Sequence, residues 1–587
     1  MARLTLSTGL AGLALLGASL VAAGPKENLM TLADRYWEDH LRTNPTEATS
    51  IGDHRYDAFL RNDSAEGIAA ETGRLEALRR EVQALAPETL DPADRVTRSL
   101  LLREIGNDLD RIACDFDAWD VGPRGPQSRL LNIPSYQTLE GPESGRAMVE
   151  RWRAMAAYLR THTENLKRGL AGGRVASVPA VERALEQLDG LEKTPVEDWS
   201  LLEPLKSIPS SWDEAARETF RRDLTAAVTD SVRPALLAYR DFLRETVLPR
   251  ARPAEKAGLT YLPGGDECYR RLIHLHTSLD LDADAIHEIG LAEVAKINRE
   301  TRTLGANVLG TDDLEEIHRR LRTDPALHFT TRDEVQQTAE AALARAEAAI
   351  PAWFGRLPQA PCIVKRVPAH EEKITTIAYY RGPAVDGSRP GAYYVNTYAP
   401  ETRPRYEAEV LAFHEAVPGH HLQISIAQEL GDLPAFRRHG GTTAYVEGWA
   451  LYTERLADEM GLYSGDLDRM GMLSFDSWRA CRLVVDTGIH ARGWSRQKAI
   501  DYLLANTCLA ENNIVNEVDR YITSPGQALA YKLGQREIFA LRRRAKEALG
   551  ERFDIRAFHD TILGGGAVDL ATLRYMVDNY IEANGGE

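Results

Sequence analysis

The sequence predicts a mostly α protein, a large helical fold with one small β-sheet beside the helix that carries its reactive residues. Three observations predict it. From Leu32 to about Arg250, apolar residues recur with helical period in a background rich in Ala, Leu, Glu and Arg. Short β-rich runs are confined to the interval between Pro361 and Thr397. After Pro404 the helical pattern returns and holds to the C-terminus.

Residues 1–23 open with Met-Ala-Arg and an apolar stretch from Leu4 to Ala23, ending in Val21-Ala22-Ala23 before Gly24-Pro25. A basic start, an apolar centre and small residues at the cut make a secretory signal peptide cleaved after Ala23, with no Cys following that could be lipidated. An uncleaved anchor is the alternative, because about 20 apolar residues are long enough to span a bilayer. No other apolar run approaches that length. The expectation is an exported protein, periplasmic or secreted, without stable membrane insertion once the signal is removed. Residues 24–260 read as packed helices, broken at Asn44-Pro45, Ala86-Pro87, Gly122-Pro123, Gly172-Gly173 and Ile208-Pro209. Leu262-Pro263-Gly264-Gly265 marks the entry to a second region, 261–587, where helical pattern resumes. Its sheet, 361–397, comes from the runs Cys362–Val367, Ile374–Tyr380 and Ala392–Thr397, separated by the Gly/Pro loop Gly382–Gly391.

The 587 residues are 27% charged and 43% hydrophobic, close to the soluble globular average, which excludes collagen, coiled coil and wholesale disorder. The net charge is −16 and no Lys/Arg run is long enough to track phosphates, so no nucleic-acid partner is expected. Five widely spaced cysteines contain no C-x-x-C pair, which argues against a zinc knuckle or redox motif. Export permits some of them to oxidise, and the odd number leaves at least one thiol without an intramolecular partner.

The chemistry concentrates in Ala412-Phe413-His414-Glu415-Ala416-Val417-Pro418-Gly419-His420-His421-Leu422-Gln423. In H-E-x-x-H peptidases the two His lie one helical turn apart and share a Zn²⁺, while the Glu faces the bound water. Here Pro418 takes the place of the second His. The next imidazoles come at i+6, about 120° off the His414 face, and at i+7, roughly 10 Å along the axis, so an ideal helix brings neither beside His414. Pro418 forces a bulge or kink and Gly419 tolerates whatever backbone angle results. A π-type bulge or kink between Ala416 and His420 would return His420 to His414. His420 is preferred over His421 as the ligand, and His421 then remains to contact substrate.

A catalytic zinc needs a third protein ligand and an open position. Glu447, in the helical segment Thr443-Ala444-Tyr445-Val446-Glu447-Gly448-Trp449, is the candidate, because an apolar-flanked carboxylate is costly to bury unpaired. Gly448 would let this helix and the His-motif helix approach closely, and Glu454, two turns on, could orient a ligand His. Gly391-Ala392-Tyr393-Tyr394-Val395-Asn396 could receive an extended peptide as an added strand, which makes Tyr394 and Asn396 substrate-binding candidates. Arg482, Tyr521, His490, Arg520 and Tyr531 are the downstream groups suited to an oxyanion or a substrate carboxylate. Arg482, Arg520 and Lys532 together suggest a basic cleft floor.

These motifs, with Pro45 through Asp57, Leu262 through Gly290 and Gly488-Ile489-His490, resemble the bacterial domain-of-unknown-function family numbered 885 over nearly the whole mature chain. That family in turn looks like a distant relative of helical gluzincins such as the Taq-type carboxypeptidases and the angiotensin-converting and oligopeptidase groups. The resemblance implies a zincin-like fold. It also implies that Tyr531, before Gly534, assists the transition state and that His490 matches the relatives' downstream His.

The expected function is zinc-dependent hydrolysis of short peptides or small amides in the cell envelope, exopeptidase or oligopeptidase. His414, His420 and Glu447 would hold Zn²⁺, Glu415 would act as base, and His490, Arg520 and Tyr531 would assist. A zinc hydrolase of another amide or ester, or a non-catalytic helical binding protein, are the alternatives.

Overall fold

The computed structural model describes residues 24–368, 372, 377–383 and 389–585. The proposed signal peptide, residues 1–23, part of the second forecast strand, residues 374–376, and part of the forecast Gly/Pro loop, residues 384–388, lie outside the described residues. The described residues are mostly α-helical, with one three-stranded sheet among them. The elements that build the site are helices α1 (Pro92–Cys114), α2 (Gly265–Thr277) and α3 (Ala283–Val308), strands β1 (Cys362–Arg366), β2 (Ala378–Arg381) and β3 (Gly391–Val395), and then six helices. These are α4 (Ala408–Glu415), α5 (His420–Glu429), α6 (Thr443–Glu459), α7 (Asp466–His490), α8 (Glu511–Thr523) and α9 (Ala530–Leu549).

Strand β3 is central, parallel to β1 and antiparallel to β2, with Tyr379 opposite Tyr394. Alternation along β3 sends Tyr393 and Val395 into the core and leaves Tyr394 on the other face, stacked on Tyr379 with centroids 4.8 Å apart.

Helix α7 is the axis of the C-terminal part. Every residue from Met470 to His490 is buried, including the charged Asp476, Arg479, Arg482 and Asp486, so the helix has no solvent-facing stripe there. Gly290 of α3 lets α3 lie on it, since a β-carbon there would fall 2.7 Å from Val484 Cγ2. Apolar packing also crosses the boundary forecast near residue 260. Residues between 29 and 105 share a core with residues between 329 and 580, while residues between 121 and 247 form a core of their own. Cys114 and Cys268 form a disulfide that ties α1 to α2, and Cys362, Cys481 and Cys508 are buried free thiols. Among the described residues, no helix is long and apolar enough to cross a membrane.

Candidate metal centre

Helix α4 stops at Glu415 and α5 begins at His420. Pro418 has no N–H to continue the ladder, and Gly419 comes so close to the preceding turn that a β-carbon would meet His414 O at 1.9 Å. Only glycine fits there. The forecast bulge is thus a complete break: two helices joined by the turn Ala416–Gly419. Helix α6 holds the break in place, with Trp449 Nε1 donating to Pro418 O at 3.0 Å and Thr453 Oγ1 to Phe413 O at 3.2 Å. Those bonds satisfy carbonyls that a broken helix would otherwise leave orphaned.

The break brings His420 back beside His414, with ring centroids 4.8 Å apart and planes nearly perpendicular at 86°. Glu447 of α6 completes the group. Its Oε2 lies 3.8 Å from His414 Nε2 and 3.5 Å from His420 Nε2, and the donor atoms of all three residues fall within 4.8 Å of one another. These gaps exceed the roughly 2.7–3.2 Å of an N–H···O hydrogen bond. They match the separation of about 3.4 Å between two ligands bound tetrahedrally at 2.0–2.2 Å from one zinc ion.

The charge states suit a cation. Burial, with help from His420, Arg479 and Arg482, drives the His414 pKa well below normal, so that imidazole stays neutral. Burial would raise Glu447, but His420 and Tyr531 beside it and the charge of Arg482 hold it below the usual carboxylate range. Burial would likewise lower His420, yet Glu447 and Glu415 raise it, so the position favours a bound positive charge.

Behind His414, Nδ1 meets Glu454 Oε1 at 2.7 Å, which leaves Nε2 facing Glu447. Glu454 is wholly buried, and burial pushes its pKa up to about 8. Glu415 follows His414 directly. Burial raises its pKa, as does Glu447, while His420, Arg479 and a hydrogen bond from the Tyr380 backbone N–H pull the other way. Helix α9 brings Tyr531 to the same place through a glycine contact: a β-carbon on Gly448 would fall 2.5 Å from Gly534 Cα. The close approach foreseen for Gly448 is therefore to α9. Burial and Glu447 raise the Tyr531 pKa, so its phenol stays protonated.

Other forecast residues are committed elsewhere. His490 accepts from the Leu259 N–H at 3.2 Å through Nδ1 and donates to Tyr521 O at 3.0 Å through Nε2, so neither nitrogen is left for substrate. His421 is engaged by Tyr380 Oη at 2.8 Å and Ala360 O at 3.0 Å. Tyr394 stacks on Tyr379, on the face of β3 opposite the buried Tyr393, and Asn396 bonds Glu372 O and the Tyr398 N–H. Tyr521 Oη sits among Trp478, Arg482 and Glu517. Arg520 is forked onto Glu517 and also donates to Gln527, and Lys532 is held by Asp476 at 2.6 Å, which removes it from any basic cleft floor.

Two residues went unseen in the sequence. Tyr393, fully buried with no hydrogen-bond partner for its hydroxyl, faces Glu415 electrically, and the two-residue period of β3 would have distinguished it from Tyr394. Arg479 lies one helical turn before Arg482, so i,i+3 spacing pointed to it.

Fold and centre together define a class: a helical protein with a two-histidine, one-glutamate cluster carried on a broken helix and its neighbour. The chain belongs to the family described as bacterial protein of unknown function (DUF885), which it matches over residues 45–577. A solved structure from Colwellia psychrerythraea, provisionally described as a lipoprotein, is 26% identical with a TM-score of 0.87, covering 95% of this chain and 100% of that one. Another from Shewanella oneidensis, provisionally described as a lipoprotein of unknown function, is 18% identical with a TM-score of 0.73, covering 94% and 100%. Pyrococcus furiosus carboxypeptidase gives a TM-score of 0.35 at 10% identity over 95% and 99%, too slight a likeness to argue from. No curated protein matches the chain.

Proposed function

We propose that the protein is a zinc-dependent hydrolase of peptide bonds in short peptides, exported to the cell envelope. The observation that carries this reading is the separation of the His414, His420 and Glu447 donors, too long for hydrogen bonds and right for a shared zinc, with Glu415 next in sequence. When bound, zinc supplies Lewis acidity and makes an adjacent water acidic enough to use near neutral pH.

The remaining steps belong to the chain. Glu415, its proton affinity raised by burial, takes the proton from water and returns it to the leaving amine. The Tyr531 phenol donates to the oxygen that becomes negative on the scissile carbonyl. Glu454 fixes the ring of His414 from behind. Export is supported by the N-terminal sequence and by structural relatives provisionally described as lipoproteins.

The test is Glu415→Gln, which keeps size and hydrogen bonding but cannot take the proton. It is expected to lower turnover of a cleaved peptide by about 10²–10⁴-fold while retaining zinc by elemental analysis. Near-normal activity would refute the assignment of the base.

A further inference from the structure

Beside the centre lies more buried positive charge than the reaction above uses. Arg479 and Arg482 share a face of α7 and are 4% and 3% exposed. Arg482 gives Nε to Tyr521 Oη at 2.9 Å and Nη2 to Glu517 at 3.0 Å, but its Nη1 has no partner. Arg479 reaches Glu454 only at 3.7 Å, and its Nε and Nη1 have no partner. Glu517 is already shared with Arg520, at 2.8 Å.

A fourth guanidinium comes from the N-terminal part. The turn Gly122-Pro123-Arg124-Gly125 packs on the end of α8, where a β-carbon on Gly122 would fall 2.9 Å from Thr523 Cγ2. The Arg124 side chain is exposed and lies within electrostatic reach of Arg520, Glu517 and Tyr531. The Arg482 guanidinium carbon is 4.3 Å from the Tyr531 ring centroid, which joins this collar to the centre. Buried guanidinium N–H groups without acceptors are costly, and the planar fork of arginine fits a carboxylate with two parallel hydrogen bonds.

We infer that this collar seats a substrate carboxylate, so that the centre works on peptides with a free C-terminus and Arg124 contributes the contact from the N-terminal part. The inference rests on the peptidase reading and narrows it. A residue spans at most about 3.3–3.6 Å. A terminal carboxylate held against Tyr531 therefore places the scissile bond within one or two residues of the end.

The experiment uses zinc-loaded full-length protein and N-acetylated tetrapeptides made as free acids and as C-terminal amides. Free acids are expected to be cleaved with kcat/KM at least about 30-fold above the amides, the difference lying in KM. In Arg124→Gln that ratio is expected to fall about tenfold, whereas Arg543→Gln, an exposed arginine on the far part of α9, leaves it unchanged. Equal use of acid and amide, or loss of both alike in Arg124→Gln, would overturn the inference and leave a collar filled by inorganic anions. Calorimetric titration of zinc-loaded Glu415→Gln with the same peptides separates this from failure of the peptidase reading. Tighter binding of the acid than the amide is expected even without turnover, and no such preference overturns the inference whatever the catalytic assay shows.

Discussion

Two regions of this protein each bury a histidine against a helix, and only one of them leaves a ring nitrogen turned toward other groups that could hold a metal ion. His490, at the end of α7, is completely buried and burial drives its pKa down to about 3. His414, at the end of α4, is almost as buried and is driven well below normal by the same cause. Burial and pKa do not separate them. The hydrogen bonds do: both nitrogens of His490 are taken by the backbone, whereas His414 gives Nδ1 to Glu454 and keeps Nε2 turned toward Glu447. His421 sides with His490, since Tyr380 and Ala360 occupy its ring, and His420 sides with His414. A buried histidine is a candidate ligand when one nitrogen is left over after the fold has been satisfied.

The sharpest way to break this comparison is to delete each histidine in turn. His414→Ala is expected to abolish zinc binding by elemental analysis. His490→Ala is expected to keep its zinc but to lose roughly 2–5 kcal/mol of stability in denaturant unfolding, because it opens a cavity and strands the Leu259 N–H and the Tyr521 carbonyl. Zinc loss in both would erase the distinction. A smaller effect is expected from Glu454→Gln, which leaves all three ligands in place but weakens the orientation of His414. Zinc affinity measured against a competing chelator should fall by about 10–100-fold. The smallest is His421→Ala, expected to retain one zinc per chain while His420→Ala does not. Equal retention in that pair would remove His420 from the site.

How much of this was legible follows from range. The helical class, the position of the sheet and the interruption at Pro418 are local properties, set by period, by β-branched and aromatic runs, and by a missing N–H, and all three could be read from the chain. Glu447 could be read as well, because an acid among apolar neighbours on a helix demands a reason. The choice between Tyr393 and Tyr394 turned on strand phase, which a one-residue shift inverts. The roles of His490 and Lys532 could not be read, since their partners Leu259 and Asp476 are fixed by tertiary packing, whereas Glu517, three residues before Arg520 on α8, is a local partner that the spacing offered. Arg124 lay further still from view. Its sequence looked only like a break between helices, and it nears Tyr531 because its turn packs on α8.

The central claim is that His414, His420 and Glu447 converge on one zinc ion. Anomalous diffraction from crystals of the zinc-loaded protein, collected on both sides of the zinc absorption edge, tests it most directly. The account predicts a single strong peak about 2.0–2.2 Å from His414 Nε2, His420 Nε2 and a Glu447 carboxylate oxygen. A peak bound by other residues, or no peak in fully loaded protein, would contradict it.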